Sequence, residues 1–559
     1  MAPSAAMLRD QAIAAAARGD AARAGALFDQ AVEAAPRDVS ILNSAAAHWS
    51  KAGNPARAIE LFERAVAADP NAGEPAINLA ILLTNAGRSR EAVELLEPRA
   101  TALASNPRYW SVRANAERTL GLKRNALASY ERAWALNRSN TRAAEGRARL
   151  ALETGIDARS LYRDALSLAA TEPTLILGYG QALEAAGDLV EARSIGDRLV
   201  SELPGWIPAL EWLAELRWAG GERDEFTDHY AKAASRAPAP ELFDSWCKML
   251  AGVDQFGKAA DVAANARMEL GDRAELALRE AIHAGEAGED ARAEAIFAVL
   301  PISGAVRDVQ EARHRLRTRD PERAEQLTAR AIASDPDNIA AWALRDIAWR
   351  LLGDPRHDWL HGQEGLVRPM HLDLDAQRFA SIVTLLDRLH DKSSMPVGQS
   401  VRQGSQTRGG LFDRHEPEIE LLEASFRQAV RGYRDQLPPR DHAHPLLRHR
   451  DESWRFAGSW SIRVFEGGRH TEHIHPQGIV SSAAYFVVPQ IVTDADEQAG
   501  WLELGRPPPD LKLDLPPLYA FEPLPGRCAL FPSTLYHGTR RFSGGKRMTV
   551  AIDIHLGTE

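Results

Sequence analysis

Cysteine is nearly absent from this chain: Cys247 and Cys528 are the only two in 559 residues. They lie far apart, which excludes a disulfide framework and leaves both as expected buried thiols. Long apolar runs are missing too. No stretch reaches the roughly 18 uninterrupted apolar residues of a membrane span, and the first residues lack the basic start and apolar block of a secretory leader. A cytoplasmic, reducing location without membrane insertion is the expectation. Positive charge is not in excess: 67 Lys and Arg stand against 77 Asp and Glu, a formal net charge of −10. General affinity for nucleic acid or anionic lipid is therefore not expected, local basic patches aside. With 26% charged and 45% hydrophobic residues the composition is that of ordinary globular protein. The length exceeds what one hydrophobic core supports, so at least two domains are predicted.

What the chain does have is a period. Up to about residue 355 it is rich in Ala, Leu, Arg and Glu, with apolar residues at helical spacing and almost no strand-like alternation. Gly19, Gly53, Gly87, Gly121 and Gly155 fall 34 residues apart, and Ala24, Ala58, Ala92 and Ala126 keep step five positions later. Phe28, Phe62, Leu96 and Tyr130 follow each alanine by four, and Pro36 and Pro70 close the first two repeats. These positions resemble the tetratricopeptide repeat, a helical hairpin. The glycine ends the first helix in a turn, the alanine lets the second approach closely, and the proline separates repeats. The register slips after Gly155, reappears near Gly187 and Gly221, blurs between about 240 and 315, and returns at Ala324, Ala331, Pro336, Trp342 and Gly353. Roughly nine or ten hairpins are predicted, several degenerate. By analogy, the resemblance implies a concave face presented to a protein or peptide; it says nothing of oligomeric state.

Beyond about residue 356 Pro, Gly, His and Trp rise, and short alternating segments appear at 460–465 and 480–488. A second domain over 356–559 is predicted, after an all-helical 1–355. Residues 374–391 and 416–436 read as amphipathic helices, and the polar, Gly-rich stretch from Gln399 to Gly410 reads as a loop, a candidate lining for a substrate entrance.

The chemistry is carried by His473-Ile-His475 within a Gly467-Gly-Arg-His-Thr-Glu-His frame, by Gly526 through His537, and by Arg547-Met-Thr549. Together these stretches resemble the 2-oxoglutarate oxygenases related to prolyl 4-hydroxylases, and more closely the bacterial branch fused to tetratricopeptide repeats. The resemblance covers most of 396–556 and is densest over 467–551. It implies a double-stranded β-helix, or jelly-roll, behind an α-solenoid. On an extended strand, side chains two apart share a face, so His473 and His475 can reach one metal while Ile474 turns away. His537, past an apolar segment ending in Phe531-Pro532, suits a third ligand from a distant strand. Arg547 and Thr549 match the Arg-x-Ser/Thr pattern that grips the far carboxylate of 2-oxoglutarate, a task for which a guanidinium offers two parallel bonds. Tyr485 is a further candidate for the same anion, or simply a packed strand residue.

One departure stands out. The better-known relatives carry His-x-Asp or His-x-Glu, whereas His475 occupies the carboxylate position here. A rival register, His470-Thr-Glu472, restores a carboxylate but faces the opposite side of the strand and breaks the glycine spacing; the His473 and His475 register is preferred. His442-Ala-His444 spells the same local pattern without a downstream partner and reads as structural. The resemblance implies Fe(2+), 2-oxoglutarate and O2, with ascorbate as a possible reductant, and hydroxylation of an unactivated C–H bond as the default reaction. Two other functions stay open: a three-histidine iron dioxygenase that does not use 2-oxoglutarate, and an interaction scaffold whose barrel has lost chemistry.

Overall fold

The computed structural model describes residues 3–391, 393, 395–490 and 498–557, and omits the side chain of Arg402. The chain forms two compact units, Met1–Ala182 and Leu183–Glu559.

In the first unit helices pair in order, beginning with Ala5–Ala17 and Ala21–Ala34, then Val39–Lys51 and Pro55–Ala68. Local chemistry starts them: Asn54 caps the fourth helix by accepting from Arg57 N–H at 3.1 Å, with Pro55 at the first helical position. Phe28 and Phe62 are buried, and Ala24, Ala58, Ala92 and Ala126 are fully so, leaving no room for a larger side chain where helices meet. The five periodic glycines all take φ between +78° and +82°, the left-handed conformation that closes each hairpin.

The second unit carries the later hairpins, from Leu189–Glu202 to Ala305–Arg317 and Pro321–Ser334, then Ile339–Leu352 with the short helix Arg356–His361. Left-handed turn residues continue through Gly187, Gly221, Asp254, Gly288, Arg319 and Gly353. Where the period seemed to blur, the hairpins persist; Asp254 and Arg319 occupy the turn in place of glycine and so hide it.

The β-domain of this unit has a six-stranded antiparallel sheet and a three-stranded one. Its strands are β1 (Arg368–His371), β2 (Val401–Gln406), β3 (Trp454–His470), β4 (Val480–Val487), β5 (Leu502–Leu504), β6 (Tyr519–Phe521), β7 (Arg527–Pro532), β8 (His537–Thr539) and β9 (Lys546–Leu556). The large sheet runs β1-β7-β4-β9-β3-β2 and the small one β6-β5-β8. Helices Ala376–His390 and Pro417–Asp435 cover the outer face of the large sheet, against Met548, Val550, Ile552 and Ile554 of β9. Between the sheets lie Tyr485, Leu502, Leu504, Ala529 and Phe531. This is the antiparallel two-sheet architecture that the resemblance implies.

The stretch read as a loop from Gln399 to Gly410 is a correction: Val401–Gln406 is the edge strand β2, paired with β3 through a bulge at Gln403. Its sequence looks like a loop because backbone pairing, rather than an apolar face, holds it, and because Gly404 must pass close to the Arg463 carbonyl. Deleting it removes a strand, so deletion is not a clean test of substrate entry.

Two substitutions test the repeat geometry. Gly53→Ala, at φ +78°, is expected to cost about 1 kcal/mol. Ala58→Leu, at a fully buried contact, is expected to cost about 1–3 kcal/mol. Urea denaturation followed by helical circular dichroism measures both, and unchanged midpoints would contradict the steric roles assigned.

Candidate functional site

β3 ends at His470, and the chain turns toward the small sheet. There His473 forms an isolated bridge with His537, the first residue of β8: His473 N–H donates to the His537 carbonyl at 3.0 Å and His537 N–H donates back at 2.9 Å. His475 follows two residues on, while Ile474 packs against Leu511, Tyr536 and the last helical hairpins. Ring centroids lie 4.2 Å apart for His473 and His537, 5.1 Å for His473 and His475, and 5.1 Å for His475 and His537. One nitrogen of each ring lies within 4.8 Å of the others, a separation suited to one metal ion.

The partners of the other ring nitrogens set the tautomers. Nδ1–H of His473 donates to the Thr471 carbonyl at 2.8 Å, that of His537 to the Leu535 carbonyl at 3.2 Å, and that of His475 to Asp553 Oδ2 at 2.8 Å. With Nδ1–H committed to these acceptors, it is Nε2 of each ring that is left to offer a lone pair, as a metal ligand requires. Ser400 Oγ approaches His473 Nε2 at 3.3 Å, and Trp460 stacks on His475 at 5.6 Å. Burial pushes the His473 pKa down to about 3, helped by His475, and burial likewise drives His537 well below its ordinary value.

The imidazoles line a cavity of about 420 Å³ shared with His470, Tyr485, Arg547 and Thr549. Gly398, Gln399 and Ser400 and the hairpin turn containing Gly252 and Asp254 complete its wall. Arg547 is fully buried. Its Nη1–H donates to the Gly500 carbonyl at 2.8 Å and its Nη2–H to Thr539 Oγ1 at 2.9 Å. Among the described residues its Nε has no partner, and neither has the buried Tyr485 hydroxyl. Thr549 lies between Ile462 of β3 and Tyr485 of β4 in the sheet register. An unpaired buried guanidinium costs several kcal/mol unless an anion reaches it. With unsatisfied donors beside it, this wall suits a carboxylate. The three imidazoles fit a divalent iron equally well on donor type.

All six residues singled out from the sequence thus come together. Glu472 does not join them: it lies against Gly538, outside the metal-capable group, and burial raises its pKa. His444 is a core residue whose Nε2–H donates to the Leu360 carbonyl at 2.9 Å and whose Nδ1 accepts from the Leu446 and Leu447 amides. Two residues were missed. Thr539, two beyond His537 on β8, accepts from both Arg547 and the His470 amide. Asp553 shares the face of β9 with Arg547, Thr549 and Ala551, so strand alternation puts it on the site's side without marking it out from other strand residues.

Residues 458–553 match the family model described as "Putative 2OG-Fe(II) oxygenase", and residues 50–116 match that of the tetratricopeptide repeat. The chain therefore combines a tetratricopeptide region with a domain of that oxygenase family. No curated protein matches it. Among solved structures it is similar to PilF of Pseudomonas aeruginosa, at 20% identity over 38% of this chain and 97% of that one, TM-score 0.34. It is also similar to MamA of Desulfovibrio magneticus RS-1, at 14% identity over 30% and 96%, TM-score 0.28. A third is YrrB, titled a TPR protein with an unusual peptide-binding site, at 18% identity over 33% and 95%, TM-score 0.30.

Buried neutral histidines predict an acid sensitivity of the metal-free protein. His473 is held at about 3, and His390 and His444 are held at about 4 by burial, against an ordinary 6.5. The unfolded chain therefore binds protons first as pH falls. Stability present above pH 6.5 is lost on the way down to pH 3–4, by about 1.4 kcal/mol per pH unit for each such group. Equilibrium denaturation at pH 7.5 and pH 5 measures the drop, and equal stabilities would contradict the burial of these rings as neutral species.

Proposed function

We propose that the β-domain is an Fe(2+)- and 2-oxoglutarate-dependent dioxygenase that hydroxylates a protein or peptide recruited by the helical repeats, working in the cytoplasm. The domains assigned to these tasks are 356–559 and 1–355. One observation carries the reading: three imidazoles with Nε2 turned inward share a cavity with a fully buried arginine that has no anionic partner among the described residues.

His473, His475 and His537 hold the iron, each ring oriented by the acceptor on its Nδ1–H. Arg547 would hold the distal carboxylate of 2-oxoglutarate, with its Nε–H available and the Thr549 and Tyr485 hydroxyls beside it as further donors. When bound, iron and 2-oxoglutarate with O2 supply the oxidising power for C–H hydroxylation, releasing succinate and CO2. The chain's own contribution is orientation and exclusion of water. Trp460 and Ile462 form an apolar wall, and Gly398 to Ser400 with the Gly252 turn narrow the mouth. Ascorbate fits as a reductant that keeps the iron ferrous.

A specific feature keeps a second reading in play: among the described residues no carboxylate belongs to the metal-capable group, as in a three-histidine dioxygenase that does not use 2-oxoglutarate. Aerobic incubation of the protein with Fe(2+), ascorbate and 2-oxoglutarate against cell extract should yield succinate and a product heavier by one oxygen. Oxygen uptake without succinate would favour the second reading, and neither would remove the enzyme. In the first case Arg547→Gln should weaken 2-oxoglutarate roughly 100-fold, since it deletes one side of a buried charge pair. KM for 2-oxoglutarate checks this.

A further inference from the structure

Asp553 is a half-buried carboxylate with one committed partner. Oδ2 accepts from His475 Nδ1–H at 2.8 Å, and Oδ1 is buried with no partner among the described residues. Leaving a carboxylate oxygen unsatisfied inside a protein is costly, so its retention there calls for a compensating role. Its position explains why His475 needs it. His473 and His537 both orient their rings by donating to the carbonyl two residues upstream, Thr471 and Leu535. The equivalent carbonyl for His475 belongs to His473, and it is engaged by the His537 amide in the bridge. His475 turns instead to β9, where Asp553 is level with Ser481 of β4 and Gly458 of β3. Trp460 stacks nearly parallel on the same imidazole, at 12°, which leaves the ring little freedom to rotate.

Resting on the iron-binding reading above, we propose that Asp553 is a positioning residue that replaces the missing coordinating carboxylate from one bond further out. It fixes His475 with Nε2 inward and offsets the charge that a third neutral ligand leaves on the metal. A carboxylate behind a ligating histidine raises the basicity of that ligand, and losing such a partner typically weakens metal binding by about 10–100-fold. The site thus carries its negative charge on a group that does not occupy a coordination position.

The test uses the full-length metal-free protein titrated with Co(2+), read by calorimetry and by the visible absorption of the bound ion. Asp553→Asn keeps the shape and removes the charge, and it should weaken Co(2+) by about 10–100-fold. The deciding comparison is the same substitution in a His475→Asp background, where a carboxylate sits in the ligand position itself. There the loss of Asp553 should weaken Co(2+) far less, because no imidazole remains for Asp553 to orient. Equal weakening in both backgrounds would show a merely structural role and overturn the proposal, as would wild-type affinity in Asp553→Asn. Wild-type protein that binds no Co(2+) would instead overturn the iron-binding reading. Should Asp553→Asn fail to fold by circular dichroism, Asp553→Ser makes the same comparison with the same criteria.

Discussion

The pair of backbone hydrogen bonds exchanged by His473 and His537 is the constraint on which the site depends. Between β3 and β4 the chain leaves the large sheet, and this single bridge ties it to β8, which is itself paired with β5. Two imidazoles are therefore carried by a ladder whose backbone groups satisfy one another, rather than by free loops. A strand register is discrete, so a slip of one residue would turn His537 out of the cavity and Gly538 in. The bridge also spends the His473 carbonyl, which forces the third ring to find its orienting acceptor on another strand. One local pairing thus decides both the separation of the rings and the means by which each is aimed.

The helical hairpins of the second unit bear on the same site. Asp510 accepts from Arg313 at 2.6 and 2.9 Å and from Arg317 at 3.0 Å, and Tyr519 Oη–H donates to the His361 carbonyl at 2.7 Å. Two guanidinium groups around one carboxylate are a better-compensated buried arrangement than a single pair, because the remaining lone pairs find donors. Beside this polar joint, Leu511, Tyr536 and Ile474 pack on the hairpins. Ile474 is the residue between the two histidines, so its anchorage on the helical side helps set the alternation that points both rings the other way. Elsewhere Gly398 N–H donates to the Gly252 carbonyl at 3.1 Å, bringing a hairpin turn to the cavity wall.

The parts that were legible in the sequence share a property: each rests on a residue type with one steric or chemical use. Glycines at a 34-residue spacing, alanines at helix contacts, and His-x-His with a distant His and Arg-x-Thr were readable for that reason. The hidden parts rest on substitutable roles. Asp254 and Arg319 adopt left-handed turns that glycine takes elsewhere, paying a local strain that the packed hairpins on either side overrule, and so they broke the visible period without breaking the fold. β2 was unreadable because an edge strand needs neighbours, not an apolar face. Asp553 was within reach of strand parity, since 547, 549, 551 and 553 share a face. An aspartate in a strand is simply not a distinctive signal until the histidine opposite it is known.

The electrostatics of the cavity argue for an anionic co-substrate independently of any resemblance. Among the described residues of its wall the formal charges are Arg547, deep between the sheets, and Asp254, exposed on the helical rim. The imidazoles bring no negative charge into the cavity wall itself, and the single carboxylate behind His475, Asp553, offsets only part of a divalent ion's charge, so the remainder adds to the positive potential of the guanidinium. Two cationic centres in one cavity repel each other, the more strongly the lower the local dielectric. A small dicarboxylate relieves both at once, with one carboxylate for the metal and one for Arg547. A monocarboxylate leaves one centre bare, and a neutral ligand leaves both. On the proposed reading, that difference is what would make the buried arginine favour a doubly charged acid.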